Sequence, residues 1–431
     1  MSHKIERDEL LKGSFIPREG LAEAVKSMSG GLIKVVVGPR RAGKSVFALQ
    51  MLTAATGADF AYVNFDDERL MPPLDLDELL MAMIQVYGDN RTIFFDEIQN
   101  VTGWELFVNR LQRRGFNIIL TGSNAHLLSR ELSTHLTGRY CEFRLLPFSF
   151  AEFLTARSFV IDETLIAPAR QGLMLKQLDD FMRIGGFPEV VVRGTEPAGY
   201  LAALFDGILF KDVVKRHSVR YSAKLHDVGR WLIDNVAREY TCTSLKNALT
   251  FRSVHTVENY VGYLIEAFLF MSVMRYSPKT KVRMSAPRKV YAYDTGMVNA
   301  VRFRTGSDVG RLLENLVAVE LYRRGEEFFS LKTNSGKEVD FVVRSSSGGF
   351  CLFQVCYDLS DIKTRKRELS ALAKAAEELG IAGGIVLTWN EEGVEVIDGC
   401  RVRLLPAWKW LLRLDAGVES SLAENKENFS L

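Results

Sequence analysis

Over the first 150 residues, short β-rich runs alternate with longer stretches in which apolar residues recur every three or four positions. The runs fall at 32–37, 60–65, 92–95, 117–120 and 141–145, with amphipathic stretches such as 44–56 and 104–114 between them. The short runs have the length of strands and the longer stretches the period of helices, so their alternation predicts βαβ units around a parallel sheet. From 151 to about 220 the pattern is helical, broken by the turn Gly185-Gly186-Phe187-Pro188. Helical patterns at 223–236, 244–249 and 253–270 follow, then β-like runs at 272–276 and 288–293. The last part predicts a long helix at 311–324, strands near 339–343 and 351–355, a charged helix at 364–379 and a strand at 384–388. The expected division is an α/β domain at 1–155, a helical connector at 156–222, a small domain at 223–298, a second α/β domain at 299–414 and a polar tail at 415–431.

Composition narrows the class. A chain of 431 residues, 47% hydrophobic and 25% charged, is folded and too long for one ordinary core. Its longest apolar stretch, 260–274, contains Glu266 and is too short to span a bilayer, so no membrane partner is expected. The opening MSHKIERDELLKG shows no apolar leader pattern, and the five cysteines form neither CxxC pairs nor a disulfide framework. Both features fit a cytoplasmic protein. Net charge is only +2, yet residues 210–289 hold 15 Lys and Arg against 6 Asp and Glu. A basic middle between acidic flanks suits a polyanion such as DNA, and it equally suits a solvated surface.

The strongest chemical motif is Gly38-Pro39-Arg40-Arg41-Ala42-Gly43-Lys44-Ser45, which fits G-x-x-x-x-G-K-[ST]. It lies between the strand at 32–37 and a helix that continues through Val46, as a phosphate-binding loop must. Glycines let backbone N–H groups turn toward phosphate oxygens, and the helix N-terminus adds partial positive charge. Lys44 then reaches the β/γ-phosphates and the Ser45 hydroxyl ligates Mg²⁺, so a nucleoside triphosphate (ATP or GTP) and Mg²⁺ are the expected cofactors. The strand at 92–95 ends in Asp96-Glu97. Beside a P-loop, Asp96 would hold Mg²⁺ and Glu97 would serve as general base on the attacking water. A helix-capping pair is the alternative.

Ten short motifs occur in a fixed order: GPRRAGKS (38–45), FFDEIQ (94–99), LTGSN (120–124), LTGR (136–139), LPFSFAEFL (146–154), GGFPEVV (185–191), KDVVKR (211–216), AYDTGM (292–297), LLENLVAVEL (312–321) and GKEVDFVV (336–343). Together they resemble a prokaryotic family of AAA-type P-loop ATPases that carry a C-terminal domain of unknown function. The resemblance covers roughly residues 15 to 410. It implies a cytoplasmic ATPase, a winged helix in the middle and a restriction-endonuclease-like domain at the end. In AAA-type ATPases a polar residue at the end of the strand between the two Walker motifs helps orient the water. Ser123 or Asn124 would fill that place, or simply cap the next helix. Arg139 would reach the γ-phosphate within its own chain or from a neighbour in a homo-oligomer, or would be a surface arginine.

In the middle, Thr256, Asn259 and Tyr260 would open a recognition-like helix. Lys279, Lys281, Arg283, Arg288 and Lys289 of the following loop would meet DNA phosphates. Contacts with protein or with a neighbouring domain are the alternative. At the C-terminal end, the restriction-type pattern places acids at Asp340, within Glu338-Val339-Asp340, and at Glu314. Gln354 and Cys356 stand where that pattern has Glu and Lys. Neither replacement can do the chemistry, so nuclease activity is not expected. Two functions fit: an ATP-driven, DNA-associated switch or motor, or a nucleotide-controlled regulator acting on a protein partner without nucleic acid.

Overall fold

The computed structural model describes residues 1–70, 74–123, 138–303, 308–344 and 349–414. Contacts divide the chain into two compact units. The first comprises Met1–Phe148 with the short segments Phe187–Glu189 and Glu266–Phe268. Its sheet holds β1 (Ile33–Val37), β2 (Ala61–Asn64), β3 (Thr92–Asp96), β4 (Asn117–Gly122) and β5 (Tyr140–Arg144). All neighbours are parallel, in the order β2-β3-β4-β1-β5. Branched and aromatic residues fill the central strands because a parallel sheet is covered on both faces. The helix Lys44–Thr56 lays Phe47, Ala48, Met51 and Leu52 into one core with Val36, Phe94 and Ile119.

Three helices of this unit lay outside the sequence pattern: Ser2–Leu10, Leu21–Ser27 and Leu76–Tyr87. Ser2–Leu10 is largely polar and is fixed by specific bonds more than by apolar burial. Arg7 donates to the Phe60 carbonyl at 2.6 Å, and its guanidinium lies over the rings of Phe60 and Tyr87. The expected Asn124 lies outside the described residues.

The second unit carries the helical region, a small sheet and the C-terminal sheet. The turn at 185–188 is built by its partner motif. The Asp294 carboxylate accepts from the Gly186 N–H at 2.7 Å and the Met297 N–H at 2.8 Å. Gly185, at φ +76, leaves no room for a side chain, since a Cβ would sit 2.2 Å from Asp294 Oδ1. Helices Ser222–Asp234, Cys242–Ala248 and Val254–Glu266 precede an antiparallel sheet of β6 (Glu239–Tyr240), β7 (Phe270–Met274) and β8 (Arg288–Ala292), in the order β6-β8-β7. The basic loop between β7 and β8 contains a short helix, Thr280–Ser285, that the sequence pattern did not announce.

The C-terminal sheet has six strands: β9 (Glu327–Lys332), β10 (Glu338–Arg344), β11 (Phe350–Cys356), β12 (Gly383–Thr388), β13 (Gly393–Ile397) and β14 (Cys400–Pro406), ordered β13-β14-β12-β11-β10-β9. Strands β11, β12 and β14 run parallel, while β9, β10 and β13 pair antiparallel. The helix Ile362–Leu379 packs Leu369, Leu372 and Ala376 against Val339, Leu352 and Val386. Among the described residues, no helix is long and apolar enough to cross a membrane.

Candidate nucleotide site

Strand β1 is buried throughout and delivers the chain to Gly38. There, β5 leaves no room for a side chain: the Leu145 N–H bonds the Val37 carbonyl at 2.8 Å, and a Cβ on Gly38 would lie 1.9 Å from the Leu145 carbonyl oxygen. Gly43 is left-handed at φ +94 and begins the helix Lys44–Thr56 with no side-chain cap, so the first helical amides remain available to an anion. Pro39, Arg40, Arg41 and Ala42 span the loop, Arg41 in a left-handed conformation at φ +68, and Val46 lies in the helix's first turn. Arg18, which the sequence did not single out, clamps the loop from behind. It donates to the Ala42 carbonyl at 2.9 Å and the Leu146 carbonyl at 2.6 Å, and stacks on Phe148.

The Lys44 side chain is buried, its ammonium donating to the Pro39 carbonyl at 3.2 Å and standing 3.5 Å from Glu97 Oε1. Ser45 donates to Asp96 Oδ1 at 2.9 Å. Thr121 donates to the same oxygen, and its hydroxyl accepts the Glu97 N–H at 2.9 Å. The pairing of Phe95 with Leu120 sets Thr121 beside Asp96. The Tyr62 hydroxyl bridges Asp96 Oδ2 at 3.5 Å and Glu6 Oε1 at 3.2 Å. Glu97 itself is left-handed at φ +52, with Gln99 bonded to its carboxylate. Ser123 is buried at the exit of β4, 3.5 Å from the Gln99 amide.

Two neighbouring carboxyls thus diverge electrostatically. Burial and the charge of Glu97 push Asp96 up to about 6. Burial also opposes ionisation of Glu97, but Lys44, Gln99 and Arg40 outweigh it and hold that carboxyl below its ordinary value. Such separation is typical of groups arranged for chemistry.

Two expectations need correction. Arg139 sits at the entry of β5, opposite Ile33, whereas the P-loop follows the exit of β1, and its guanidinium bonds Asn109 Oδ1 at 2.7 Å. A parallel sheet puts strand entries and exits at opposite ends, so Arg139 does not reach the phosphate loop of its own chain. Lys289 is not on the loop surface. It is buried in β8 and paired with Glu314 and Asp340, while Lys279, Lys281 and Arg288 are exposed and Arg283 is half-buried.

A glycine-lined loop between a buried parallel strand and a helix, facing a strand that ends in Asp-Glu, is the sheet of a P-loop NTPase. The AAA domain family matches residues 31–154, and two domains of unknown function (DUF8612 and DUF4143) match 175–308 and 309–410. An uncharacterized protein of Methanocaldococcus jannaschii is 36% identical over 88% of each chain, and one of Haemophilus influenzae is 31% identical over 89% of this chain and 97% of its own. A Walker-type ATPase of Pyrococcus abyssi overlays with a TM-score of 0.44 at 14% identity, covering 67% of this chain and 96% of that one. The chain belongs to the prokaryotic family in which an AAA domain is followed by these two domains of unknown function.

Proposed function

We propose that the chain binds ATP with Mg²⁺ and hydrolyses the γ-phosphate. The carrying observation is the meeting of Lys44 and Ser45, after β1, with Asp96 and Glu97, at the end of β3 beyond the intervening β4, with Ser45 on Asp96 and Lys44 beside Glu97. The uncapped amides after Gly43 and the Lys44 ammonium fit a polyphosphate. Ser45 and Asp96 are the hard oxygen donors that Mg²⁺ takes, and bound Mg²⁺ would neutralise charge on the β- and γ-phosphates. Lys44 exchanges its carbonyl and carboxylate partners for phosphate oxygens. That exchange frees the Glu97 carboxylate to accept a proton from water. The Thr121 hydroxyl fixes the Asp96 carboxylate and the Glu97 backbone at once, donating to the one and accepting the N–H of the other. Phosphate release from ATP, measured with Mg²⁺ and with EDTA, tests the proposal; release that is absent with Mg²⁺, or untouched by Lys44→Ala, would contradict it.

A second reading rests on the loop between β7 and β8. Lys279, Lys281 and Arg288 face solvent there, and no carboxylate lies between 275 and 289. We propose that this loop associates with DNA backbone as the wing of a winged helix, without Lys289. Alanine at Lys279, Lys281 and Arg283 would then flatten the salt dependence of duplex binding. Unchanged binding would favour the protein-partner regulator.

A further inference from the structure

The C-terminal sheet contains a buried charge cluster that the ATPase reading does not use. Lys289 of β8 donates to Glu314 Oε1 at 2.9 Å and to Asp340 Oδ1 at 3.0 Å. Glu314 comes from the helix Val309–Arg323 and Asp340 from β10, so three elements converge on one ammonium. Both acids are held further: the Tyr291 hydroxyl donates to Glu314 Oε1 at 2.7 Å, and the Val355 N–H to Asp340 Oδ2 at 3.0 Å. Gln354 spends both ends of its amide on protein groups, accepting from the Asp340 N–H at 3.2 Å and donating to Glu368 at 2.7 Å. Lys289, Glu314, Asp340, Gln354 and Glu368 are each less than one-tenth exposed.

Separations near 3 Å are right for N–H···O bonds and too long for metal–oxygen bonds, which run from about 2.0 to 2.6 Å for Mg²⁺ and Ca²⁺. The seated ammonium means that the two acids already hold a cation that belongs to the chain itself.

We propose that the Lys289 ammonium is the resident cation of this acidic pocket, standing where a divalent ion would bridge Glu314 and Asp340, and that its removal turns the pocket into a divalent-cation site. The same contact ties β8 of the small sheet to β10 of the large one. Lys289 is therefore an internal counter-ion and not a nucleic-acid contact.

Mn²⁺ binding to the full chain without nucleotide, followed by electron paramagnetic resonance, tests this. An Asp96→Asn background keeps the other carboxylate site silent. That background should bind no stoichiometric Mn²⁺, Lys289→Ala should add one site per chain, and Asp340→Asn should remove it again. One Mn²⁺ already present in the background and lost with Asp340→Asn would overturn the proposal, as would a folded Lys289→Ala chain that gains none. If Lys289→Ala does not fold, the comparison passes to Lys289→Met with and without Glu314→Gln. The double variant should unfold at the higher temperature because one unbalanced carboxylate is gone. A double variant no better folded than the single one overturns the proposal.

Discussion

The Lys44 ammonium and the Glu97 carboxylate stand 3.5 Å apart in the phosphate-loop cluster. Lys44 is almost fully buried and Glu97 largely so, which strengthens their attraction relative to a surface pair. A phosphate arriving at the loop competes directly for Lys44. Under the proposed function, nucleotide binding would free Glu97 in the same event.

Lys44→Ala removes the cation from both partners. ATP affinity should fall by at least roughly 10- to 100-fold, since a hydrogen bond to a charged group is worth about 1.5–3 kcal/mol. Isothermal titration with ATP and Mg²⁺ provides the check.

Asp96→Asn should stabilise the nucleotide-free chain at neutral pH. Burial, then the charge of Glu97, raises Asp96 from 3.8 to about 6. Between those values the folded chain keeps a proton that the unfolded chain has released, so wild-type stability falls as pH rises through this window and stays lower above it. Asparagine never ionises. The variant's advantage should be on the order of 2–3 kcal/mol at pH 7 and shrink as pH is lowered from 6 to 4. Thermal unfolding across that range, without Mg²⁺, measures it.

The phosphate loop and Asp96-Glu97 were legible because each ends a strong apolar run, where a polar residue has no packing role. Thr121 ends such a run too, but only the strand order brings it against Asp96. Arg18 acts on the loop through two carbonyls far along the chain, a relation that no local pattern carries. Lys289 looked like one more charge in a basic loop. The strand period held the clue, because Lys289 and Tyr291, two residues apart, share a face and both bond Glu314. Strands β13 and β14 carry the apolar–charged alternation of half-buried strands, as in Val394-Glu395-Val396 and Arg401-Val402-Arg403, and open without the continuous apolar run that marks β12.

Two lysines eight residues apart should behave differently. Lys281→Ala, at an exposed site, should change stability by no more than about 0.5 kcal/mol. Lys289→Ala strands two buried carboxylates and should cost about 3–5 kcal/mol. Urea unfolding of the pair of variants distinguishes them.

Gly185→Ala should damage the second unit although no charge changes. The left-handed backbone and the clash with Asp294 together should cost about 2–4 kcal/mol. Differential scanning calorimetry would show the loss, and an unchanged melting temperature would mean that the Gly185–Asp294 contact is looser than described.

The most direct measurement is the turnover of ATP by Glu97→Gln beside the wild type, at saturating ATP and Mg²⁺. Glutamine keeps the shape of the side chain and leaves Lys44, Ser45 and Asp96 to bind nucleotide, but it cannot take a proton from water. The expected result is nucleotide affinity no weaker than wild type, since the competitor for Lys44 is gone, with turnover reduced by roughly 10²- to 10⁴-fold. Wild-type turnover in Glu97→Gln would contradict the assignment of Glu97 as the base and, with it, the coupling of base release to phosphate binding through Lys44.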